Sequence, residues 1–298
     1  MSAEPERWGR ERLDDVVSIL DEALPEEGLL ADEIEACLFD DPDTFVLGLD
    51  RERAVAAVAI QRTGAGASSF VAATLKLLAV VPSQRRKGFG RLLLTETEHL
   101  AARAGATEMR LTGAAPFYFW PGVDVCSVGM LCLAEAAGYR PVGAELNMSL
   151  PVTFRAPCPA GVEIRRVLDD QDADSLFMLV RRAWPWWEPE VQRAVEQATC
   201  LAAFATGTSQ TDATESELSC RGFVCHSVNR AGWLGPMGAD PADQRRGLGS
   251  ALLGEACRDL MVANFREVEI SWVGPVRFYA KAGATVSRVF RTFAKPLS

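Results

Sequence analysis

Histidine is scarce in this sequence and its cysteines are not paired, which limits the chemistry open to it. His99 and His226 are the only histidines among 298 residues, and the eight cysteines are scattered with no CxxC spacing. A zinc site needs clustered cysteine and histidine ligands, and a disulfide framework is typical of short secreted chains. We therefore expect no metal site, and we expect reduced thiols that are mostly buried.

Sequence features of a Ser/His/Asp or Cys/His hydrolase are also lacking. Such enzymes place a histidine within reach of a nucleophile on a sharp turn. The two histidines fall in a predicted helix and a short predicted strand, and no nucleophile-elbow sequence lies near either. A hydrolase is therefore the weakest of the enzyme classes that we consider.

Long apolar runs and an excess of positive charge are absent as well. No stretch approaches the roughly 18 uncharged apolar residues of a membrane span, and residues 1–15 hold no apolar core of the signal-peptide kind. The formal net charge is −9, whereas broad binding to nucleic acid or an anionic membrane needs a basic surface. We expect a soluble, cytoplasmic protein that binds neither nucleic acid nor membrane.

Two short basic stretches stand out against this acidic background. "SQRRKGFGRLLL" at residues 83–94 and "DQRRGLGSALL" at residues 243–253 set basic residues before two glycines and then run into apolar residues. Gly88 and Gly247 lie 159 residues apart, and the same offset superposes the prolines that precede them. A fixed offset of this kind indicates a fused duplication.

The length of the chain agrees with a duplication. It is about twice the commonest domain length, which favours two hydrophobic cores. Between the halves, residues 147–167 carry three prolines and a glycine, as linkers do. We predict an N-terminal domain at residues 1–150, a linker at 151–160 and a C-terminal domain at 161–298.

Each half has the same predicted order of strand, loop, helix and strand. In the second half, apolar residues recur at steps of three and four from Leu248 to Ala263, which predicts a helix after the loop. Strand patterns precede that loop ("GWLGPMGA") and follow the helix ("EVEISWV"). The first half repeats this order with "ATLKLLAVV", a helix at residues 89–104 and "EMRLTG". We therefore predict an α/β fold with a central mixed sheet and a parallel crossover in each half.

A basic loop with glycines between a strand and a helix suits a phosphate group. The first amides of the helix have no partner within it and point, with the positive end of the helix dipole, at whatever lies above. Glycines let a ligand approach the backbone and can take the positive φ angles of an amide nest. A tight turn with solvated arginines is the simpler interpretation of a single copy. The candidate residues are Arg85, Arg86, Lys87, Gly88, Phe89 and Gly90 in the first half and Gln244, Arg245, Arg246, Gly247, Leu248 and Gly249 in the second.

Other phosphate-binding motifs do not match these loops. Neither contains GxxxxGK[ST], and neither has the third glycine of the dinucleotide fingerprint. The segments "RRKGFG" and "QRRGLG" instead resemble the acetyl-CoA loop of the GNAT superfamily of N-acetyltransferases, and the resemblance covers nearly the whole chain, twice. It implies two GNAT-like domains whose loops hold the CoA pyrophosphate through backbone amides. It also implies that the preceding strand splays from its neighbour to admit the pantetheine arm of acetyl-CoA, the co-substrate.

Acetyl transfer to an amine needs further groups. Negative charge grows on the thioester oxygen during attack, and a strand amide near Val80 or Ala239 would stabilise it by about 3 kcal/mol. The leaving thiolate needs a proton, which this family commonly takes from a tyrosine four residues before a glycine in the last helix. "VRFYAKAGA" supplies Tyr279, whereas the matching position in the first half is Ala134. We therefore predict Tyr279 as the catalytic acid, the alternative being a half-buried ring whose hydroxyl bonds the backbone.

The first half is longer between its loop and its last helix. Gly88 to Gly138 spans 50 residues, against 36 from Gly247 to Gly283. The extra residues fall around "APFYFWPGVDVCSVG". This aromatic segment either lines an acceptor pocket, with Tyr118 as a substitute acid, or packs the two halves together.

The acceptor amine must lose a proton before it attacks, since an alkyl amine has a pKa near about 10. No base stands out: Glu267, Glu269 and Asp240 lie near the predicted site in the sequence, and a water chain is an equal alternative. The three tryptophans of residues 181–194 either box an amine or aromatic group or plug an interdomain contact.

Together these features predict an acetyl-CoA-dependent N-acetyltransferase that acts on an amine of a small molecule or peptide. The C-terminal half is predicted to be the catalytic one, and the N-terminal half is predicted to bind CoA whether or not it turns over. The alternatives are a non-enzymatic acetyl-CoA sensor or assembly module, and catalysis in the N-terminal half through Tyr118.

Overall fold

The structure is a computed structural model, and it describes residues 4–63, 70–206, 220–243 and 246–297. The first half contains helices α1 Leu13–Ala23, α2 Ala31–Phe39, α3 Phe89–Arg103 and α4 Val128–Ala136. Its strands are β1 Glu6–Trp8, β2 Thr44–Leu49, β3 Ala54–Thr63, β4 Phe70–Val80, β5 Glu108–Leu111, β6 Val123–Asp124 and β7 Arg140–Pro151.

The second half repeats this order. Its helices are α5 Asp170–Ala183, α6 Glu188–Glu196, α7 Leu248–Val262 and α8 Val276–Lys281. Its strands are β8 Val162–Arg166, β9 Cys200–Ala205, β10 Cys220–His226, β11 Trp233–Ala239, β12 Glu267–Ile270 and β13 Thr285–Pro296. The predicted α/β class is therefore confirmed.

The chain divides into two compact units whose bounds differ from the predicted domains. Unit 1 comprises Met1–Leu146 and Val289–Ser298, and unit 2 comprises Asn147–Arg288. The divisions fall inside β7 and inside β13. The predicted single boundary at residues 151–160 does not describe this arrangement, because β7 and β13 each begin in one unit and end in the other.

The sheets of the two units have matching orders. In unit 1 the order is β1-β2-β3-β4-β5-β13, with β6 paired to β13, and in unit 2 it is β7-β12-β11-β10-β9-β8. The pairs β4 with β5 and β11 with β12 are parallel. The neighbours β1–β2, β2–β3, β3–β4, β5–β13 and β6–β13 in unit 1, and β7–β12, β10–β11, β9–β10 and β8–β9 in unit 2, are antiparallel. These two parallel pairs are the crossovers predicted around the glycine loops.

Strand exchange completes both sheets. In unit 1 the last residues of β13 pair antiparallel with β5, Phe293 facing Leu111. In unit 2 the last residues of β7 pair antiparallel with β12, Met148 facing Ile270. Both exchanged strands are 12 residues long. Each half of the sequence therefore supplies the closing strand of the other half's sheet.

The crossover helices pack on their sheets through the apolar faces that the sequence predicts. Leu93, Leu94 and Ala101 of α3 are buried in one core with residues of β3, β4 and β5. On α7 the buried face includes Leu252 and Leu260, which belong to the predicted three-and-four pattern. The removal of these apolar side chains from water is the main favourable contribution to the packing of each helix on its sheet.

Phe293 tests the strand exchange, because it lies in the core of unit 1 although it comes almost at the end of the chain. It is 0% exposed and packs in the same cluster as α3. Phe293→Ala should lower the free energy of unfolding of unit 1 by about 3–5 kcal/mol, the usual cost of a lost core phenylalanine. Chemical denaturation followed by intrinsic fluorescence measures this loss.

Val286→Ala is the matched control on the same strand. Val286 is 51% exposed, so its truncation should change the free energy of unfolding by less than about 0.5 kcal/mol. Equal effects of the two substitutions would contradict the assignment of the end of β13 to the core of unit 1.

Candidate functional site

Each glycine loop joins a parallel strand to a crossover helix, as predicted. A short 3-10 turn follows the strand, Pro82–Gln84 in unit 1 and Pro241–Asp243 in unit 2. Gly88 with φ 93° and Gly247 with φ 86° then precede α3 and α7, and neither helix start has a side-chain cap. Both φ values lie in the left-handed region, which glycine adopts without strain. The first amides of each helix are therefore left for a ligand.

The strand before each loop separates from its parallel neighbour. In unit 1, β4 pairs with β5 at Ala72–Thr74, although β4 continues to Val80. In unit 2, β11 pairs with β12 at Trp233 and Leu234, although β11 continues to Ala239. The predicted splay is therefore confirmed in both units, and the residues beyond it have an edge free for a ligand.

A bulge marks the point of separation in both units. The register of β3 and β4 shifts between Leu75 and Leu77, so Lys76 has no partner of its own on β3. The same shift falls between Leu234 and Met237 of β11. A bulge bends the strand and increases its local twist, which turns the end of the strand away from its parallel neighbour.

A cleft of about 1110 Å³ lies in unit 1 beside the splayed end of β4. It is lined by Leu78–Val80, by the loop and the start of α3 within residues 82–91, by residues 22–26 and by α4 and its approach within residues 126–136. Pockets for drug-sized ligands measure about 300–1,000 Å³, so this cleft accommodates a long ligand. The structure thus brings together the predicted residues Val80, Arg85, Arg86, Gly88 and Gly90.

The basic residues of the first loop make different contacts. Arg85 donates to the carbonyl oxygen of Val80 at 3.0 Å and to that of Ala23 at 2.7 Å, so it ties the end of α1 to the end of β4. Lys87 donates to a neighbouring glutamine side chain at 2.9 Å. Arg86 has no ion-pair partner among the described residues. Arg86 is therefore the side chain best placed to meet an anion, and Arg85 holds the loop in position.

The described part of the second loop contains carboxylates as well as cations. Gln244 and Arg245 lie outside the described residues. Arg246 donates to Asp243 at 3.2 Å, and the same carboxylate accepts from Arg221 at 3.4 Å. The cation and the acid of this loop therefore form an ion pair.

The last helix of each half presents the same face to its crossover helix. A Cβ on Gly90 would lie 3.5 Å from Leu133, and one on Gly249 would lie 3.5 Å from Phe278. Residue 134 follows the first of these contacts and Tyr279 follows the second. The backbone closes alike around the next glycine, since the amide of Ala284 donates to the Tyr279 carbonyl at 3.0 Å and residue 139 repeats this bond to residue 134. The predicted equivalence of these two positions is therefore confirmed.

Tyr279 is buried and its hydroxyl holds its proton. The residue is 6% exposed, and its ring meets that of Phe278 edge-on at 4.9 Å. Burial raises the pKa of Tyr279 to about 12, because the phenolate is the form that loses hydration. No described residue bonds its hydroxyl, so the backbone hydrogen bond of the alternative interpretation is not seen among the described residues.

Each of the three carboxylates considered as a base already accepts a hydrogen bond. Glu267 accepts from one serine hydroxyl at 2.7 Å and Glu269 from another at 3.0 Å. Asp240 accepts from the amide of Ala242 at 3.0 Å and from Arg182 at 2.5 Å, and these contacts, the amide first, lower its pKa. A carboxylate with a lowered pKa is a weaker base, so Asp240 is the least suited of the three.

The tryptophans that follow α5 pack against one another. Trp184 and Trp187 stack with ring centroids 5.5 Å apart, and both meet Phe223 edge-on. Trp184 also covers β11, since a Cβ on Gly238 would come within 2.7 Å of its ring. The alternative of an aromatic box therefore does not hold for this pair, because the stacked rings leave no space between them for an amine.

Polar side chains that the sequence did not single out hold the aromatic segment of unit 1. The carbonyl oxygens of residues 115–117 accept in turn from Gln61 at 3.4 Å, Lys76 at 3.4 Å and Cys37 at 3.5 Å. The Lys76 side chain is 0% exposed and lies 3.8 Å from Asp41. The sequence signal that could have indicated these contacts is the lysine in the apolar run of β4, because a buried ammonium group needs hydrogen-bond partners.

A serine, a histidine and an aspartate come together in unit 2, but not as a hydrolase. His226 lies 3.3 Å from Ser227 Oγ through Nδ1 and 3.3 Å from Asp259 Oδ2 through Nε2. The serine hydroxyl accepts from the amide of Gly232 at 3.2 Å, and Arg166 donates to the aspartate at 2.5 Å. The serine follows its histidine directly in the chain and is not on a strand-to-helix elbow. We interpret the group as a structural hydrogen-bond network.

The remaining expectations concern metals, thiols and membrane spans. Within the described ranges, no group of three or more His, Cys, Asp or Glu side chains is arranged to hold a metal. All eight cysteines are free and five of them are buried. No helix among the described residues is both long and apolar enough to cross a membrane.

The comparison of sequences finds a family model that matches part of the first half. Residues 13–118, which carry the first loop and the splayed strand, match the model of the Acetyltransferase (GNAT) family. No curated protein matches the chain.

Solved structures extend this likeness to the whole chain. The GCN5-related glucosamine N-acetyltransferase region of a fungal multi-domain GH3 β-N-acetylglucosaminidase has a TM-score of 0.73 at 17% identity, and the match covers 99% of this chain but 38% of that longer one. A GCN5-related N-acetyltransferase from Sphaerobacter thermophilus has a TM-score of 0.66 at 19% identity, covering 99% and 95%. A tandem GNAT protein from the clavulanic acid biosynthesis pathway has a TM-score of 0.67 at 17% identity, covering 99% and 98%.

At identities of 17–19%, these matches show that the chain shares the fold of the three proteins. They do not show that it shares their activities. The fold is nevertheless that of two GNAT units in one chain, as the repeated loop, splay and bulge indicate. Residues 13–118 thus match the GNAT acetyltransferase family, and the chain as a whole has the fold of two GNAT units.

Proposed function

We propose that the protein is an acetyl-CoA-dependent N-acetyltransferase that transfers an acetyl group to an amine of a small molecule or peptide. The observation that carries this proposal is the cleft of unit 1. There an uncapped helix start, an unpaired arginine and the free edge of a splayed strand line one space of about 1110 Å³.

Each part of the cleft suits one part of CoA. The amides at Gly88 to Gly90 and the Arg86 guanidinium would hold the pyrophosphate. The free edge of β4 at Leu78–Val80 would bond the amides of the pantetheine arm. In unit 2 the corresponding parts are the start of α7 and the end of β11 at Ala239. We therefore propose that both loops bind CoA.

The chemical step needs a donor for the thioester oxygen and an acid for the leaving thiolate. An amide at the splay, near Val80 or Ala239, would face the developing oxyanion in a site that excludes water. Tyr279 would give its proton to the thiolate, since its hydroxyl is protonated at neutral pH and has no partner among the described residues. A water chain is the simplest base for the amine, since the nearby carboxylates are already bonded. Unit 2 is therefore the proposed catalytic unit.

Two other functions differ from this one in what they predict. A non-enzymatic acetyl-CoA sensor would bind CoA without release of a free thiol. Catalysis in unit 1 would use Tyr118, which is half-buried and is not among the residues that line the cleft. Incubation of the protein with acetyl-CoA and pooled amines, with thiol release and acetylated product both measured, separates an enzyme from a sensor. That screen also identifies the acceptor.

Arg85 and Arg86 test the roles of the loop cations. Arg86→Ala should weaken CoA binding by roughly tenfold or more, because it removes a charge-assisted contact to phosphate, and it should leave the melting temperature unchanged. Arg85→Ala should lower the melting temperature of unit 1, because the carbonyl oxygens of Ala23 and Val80 lose their donor. Calorimetric titration with CoA and thermal denaturation measure the two effects. If Arg86→Ala lowered the melting temperature and left CoA binding unchanged, the assignment of anion binding to Arg86 and of loop positioning to Arg85 would be contradicted.

Tyr279→Phe tests the proton donor, since it keeps the ring and removes only the hydroxyl. General acid catalysis contributes about 10²–10⁴-fold, so kcat should fall by roughly 10²-fold while the KM for acetyl-CoA stays nearly constant. Because the pKa of Tyr279 is raised to about 12, the wild-type rate should show no loss from ionisation of this group below about pH 11. Steady-state kinetics across pH measures both.

The other two tyrosines of the chain are the controls. Tyr139 donates to Glu98 at 2.9 Å, so Tyr139→Phe should lower stability and leave kcat unchanged. Tyr118→Phe should leave kcat unchanged if unit 2 is catalytic. If turnover survives Tyr279→Phe and collapses with Tyr118→Phe, the catalytic unit is unit 1.

A further inference from the structure

We infer that the two loops differ in affinity for CoA, and that Asp240 and Asp243 make the second loop the weaker site. This inference rests on the proposed function, because it concerns the pyrophosphate contact of the same two loops. The inference is drawn from residues of the two loops that occupy equivalent positions in the duplication but differ in charge or size.

The two loops differ in formal charge. The segment "VPSQRRK" at residues 81–87 carries three cations and no acid. The segment "DPADQRR" at residues 240–246, at the offset of 159 residues, carries two cations and two acids. Val81 and Gln84 therefore stand where the second loop has its two aspartates. A pyrophosphate meets a net positive segment in unit 1 and a neutral one in unit 2.

The contacts of these residues agree with the difference in charge. In unit 2, Arg246 of the loop donates to Asp243. Arg221 of β10 and Arg182 of α5, which lie outside the loop, pair with Asp243 and Asp240. A guanidinium that is already paired must exchange its carboxylate for the phosphate, so it contributes less to binding than a free one. In unit 1 the equivalent Gln84 accepts from Lys87 at 2.9 Å through a neutral side chain, and Arg86 is unpaired among the described residues.

The acids near the first loop do not cancel this advantage. Glu22 and Glu26 line the cleft of unit 1. Glu22 pairs with Arg53 at 3.1 Å. Both belong to α1 and the turn after it, outside the loop itself, so the glutamine at position 84 leaves the loop cations with no carboxylate of their own segment.

The tryptophan after α5 is a second difference between the two units, and it too should weaken CoA binding in unit 2. Trp184 follows α5 as Leu24 follows α1, and a proline comes next in both halves. Leu24 and Ala79 both line the cleft of unit 1. In unit 2 the larger Trp184 ring lies against Gly238, the residue equivalent to Ala79. The indole therefore occupies more space on the face of β11 near its splayed end than Leu24 does in unit 1.

The experiment measures CoA binding to each loop of the full-length protein in turn. Gly88→Glu leaves the second loop as the site, and Gly247→Glu leaves the first, since a carboxylate at either amide nest repels the pyrophosphate. Isothermal titration with CoA should give a dissociation constant at least tenfold lower for the Gly247→Glu protein than for the Gly88→Glu protein.

Exchange of the equivalent residues then tests the cause. Asp243→Gln in the Gly88→Glu protein should tighten binding by about tenfold, and Gln84→Asp in the Gly247→Glu protein should weaken it by a similar factor, the effect of one charge a few ångströms from the phosphates. Both changes in affinity should become smaller as the salt concentration is raised, because salt screens the interaction between the substituted charge and the phosphates. Trp184→Leu should tighten the second site without this dependence on salt.

The control for net charge is Glu196→Gln on the exposed end of α6, which should leave both dissociation constants unchanged. Equal affinities of the two loops, no response to Asp243→Gln, or an equal response to Glu196→Gln would each overturn the inference. If neither loop of the wild-type protein binds CoA, the proposed function fails instead, and the titration of the wild-type protein shows which case holds.

Discussion

The site depends on one interruption in hydrogen bonding. β4 stays paired with β3 up to Val80, but its parallel pairing with β5 ends at Thr74. The strand then has one satisfied edge and one free edge, and free backbone amides and carbonyls need a partner of some kind. Under the proposed function, the amides of the pantetheine arm would supply that partner, next to the free amides of the helix start. The bulge at Lys76 makes this possible, and unit 2 repeats it.

Strand exchange has a different consequence, because it makes each core depend on both halves of the sequence. β5 is completed by residues near the end of the chain, and β12 by residues before the predicted linker. Pairings between such distant residues bring a high entropic cost of loop closure before they stabilise anything. A cut at residues 151–160 would therefore separate the β13 strand from the core that it closes. Each sheet is therefore complete only when both halves of the sequence are present.

The sequence predicted the elements and their order because these depend on local patterns. The apolar steps of α7 and the glycines before α3 specify a helix and its start wherever the rest of the chain lies. The exchange could not be predicted in this way, since β7 and β13 have the same length and either could close either sheet. The role of Arg85 was missed for the same reason: its partners, such as the carbonyl of Ala23, are distant in the sequence. The charge difference between the loops, in contrast, was readable from the equivalence of Gln84 and Asp243.

The two units have diverged in complementary ways. Unit 1 has the cationic loop but Ala134 in place of the tyrosine, and unit 2 has Tyr279 but a neutral loop. Contacts to the pyrophosphate stabilise the ground state and the transition state alike, so a weaker loop raises KM without lowering kcat. Product release limits many enzymes, and a neutral loop speeds the departure of CoA from the unit that carries the acid. Under the proposed function, tight binding therefore belongs to the unit without the acid and fast release to the unit with it.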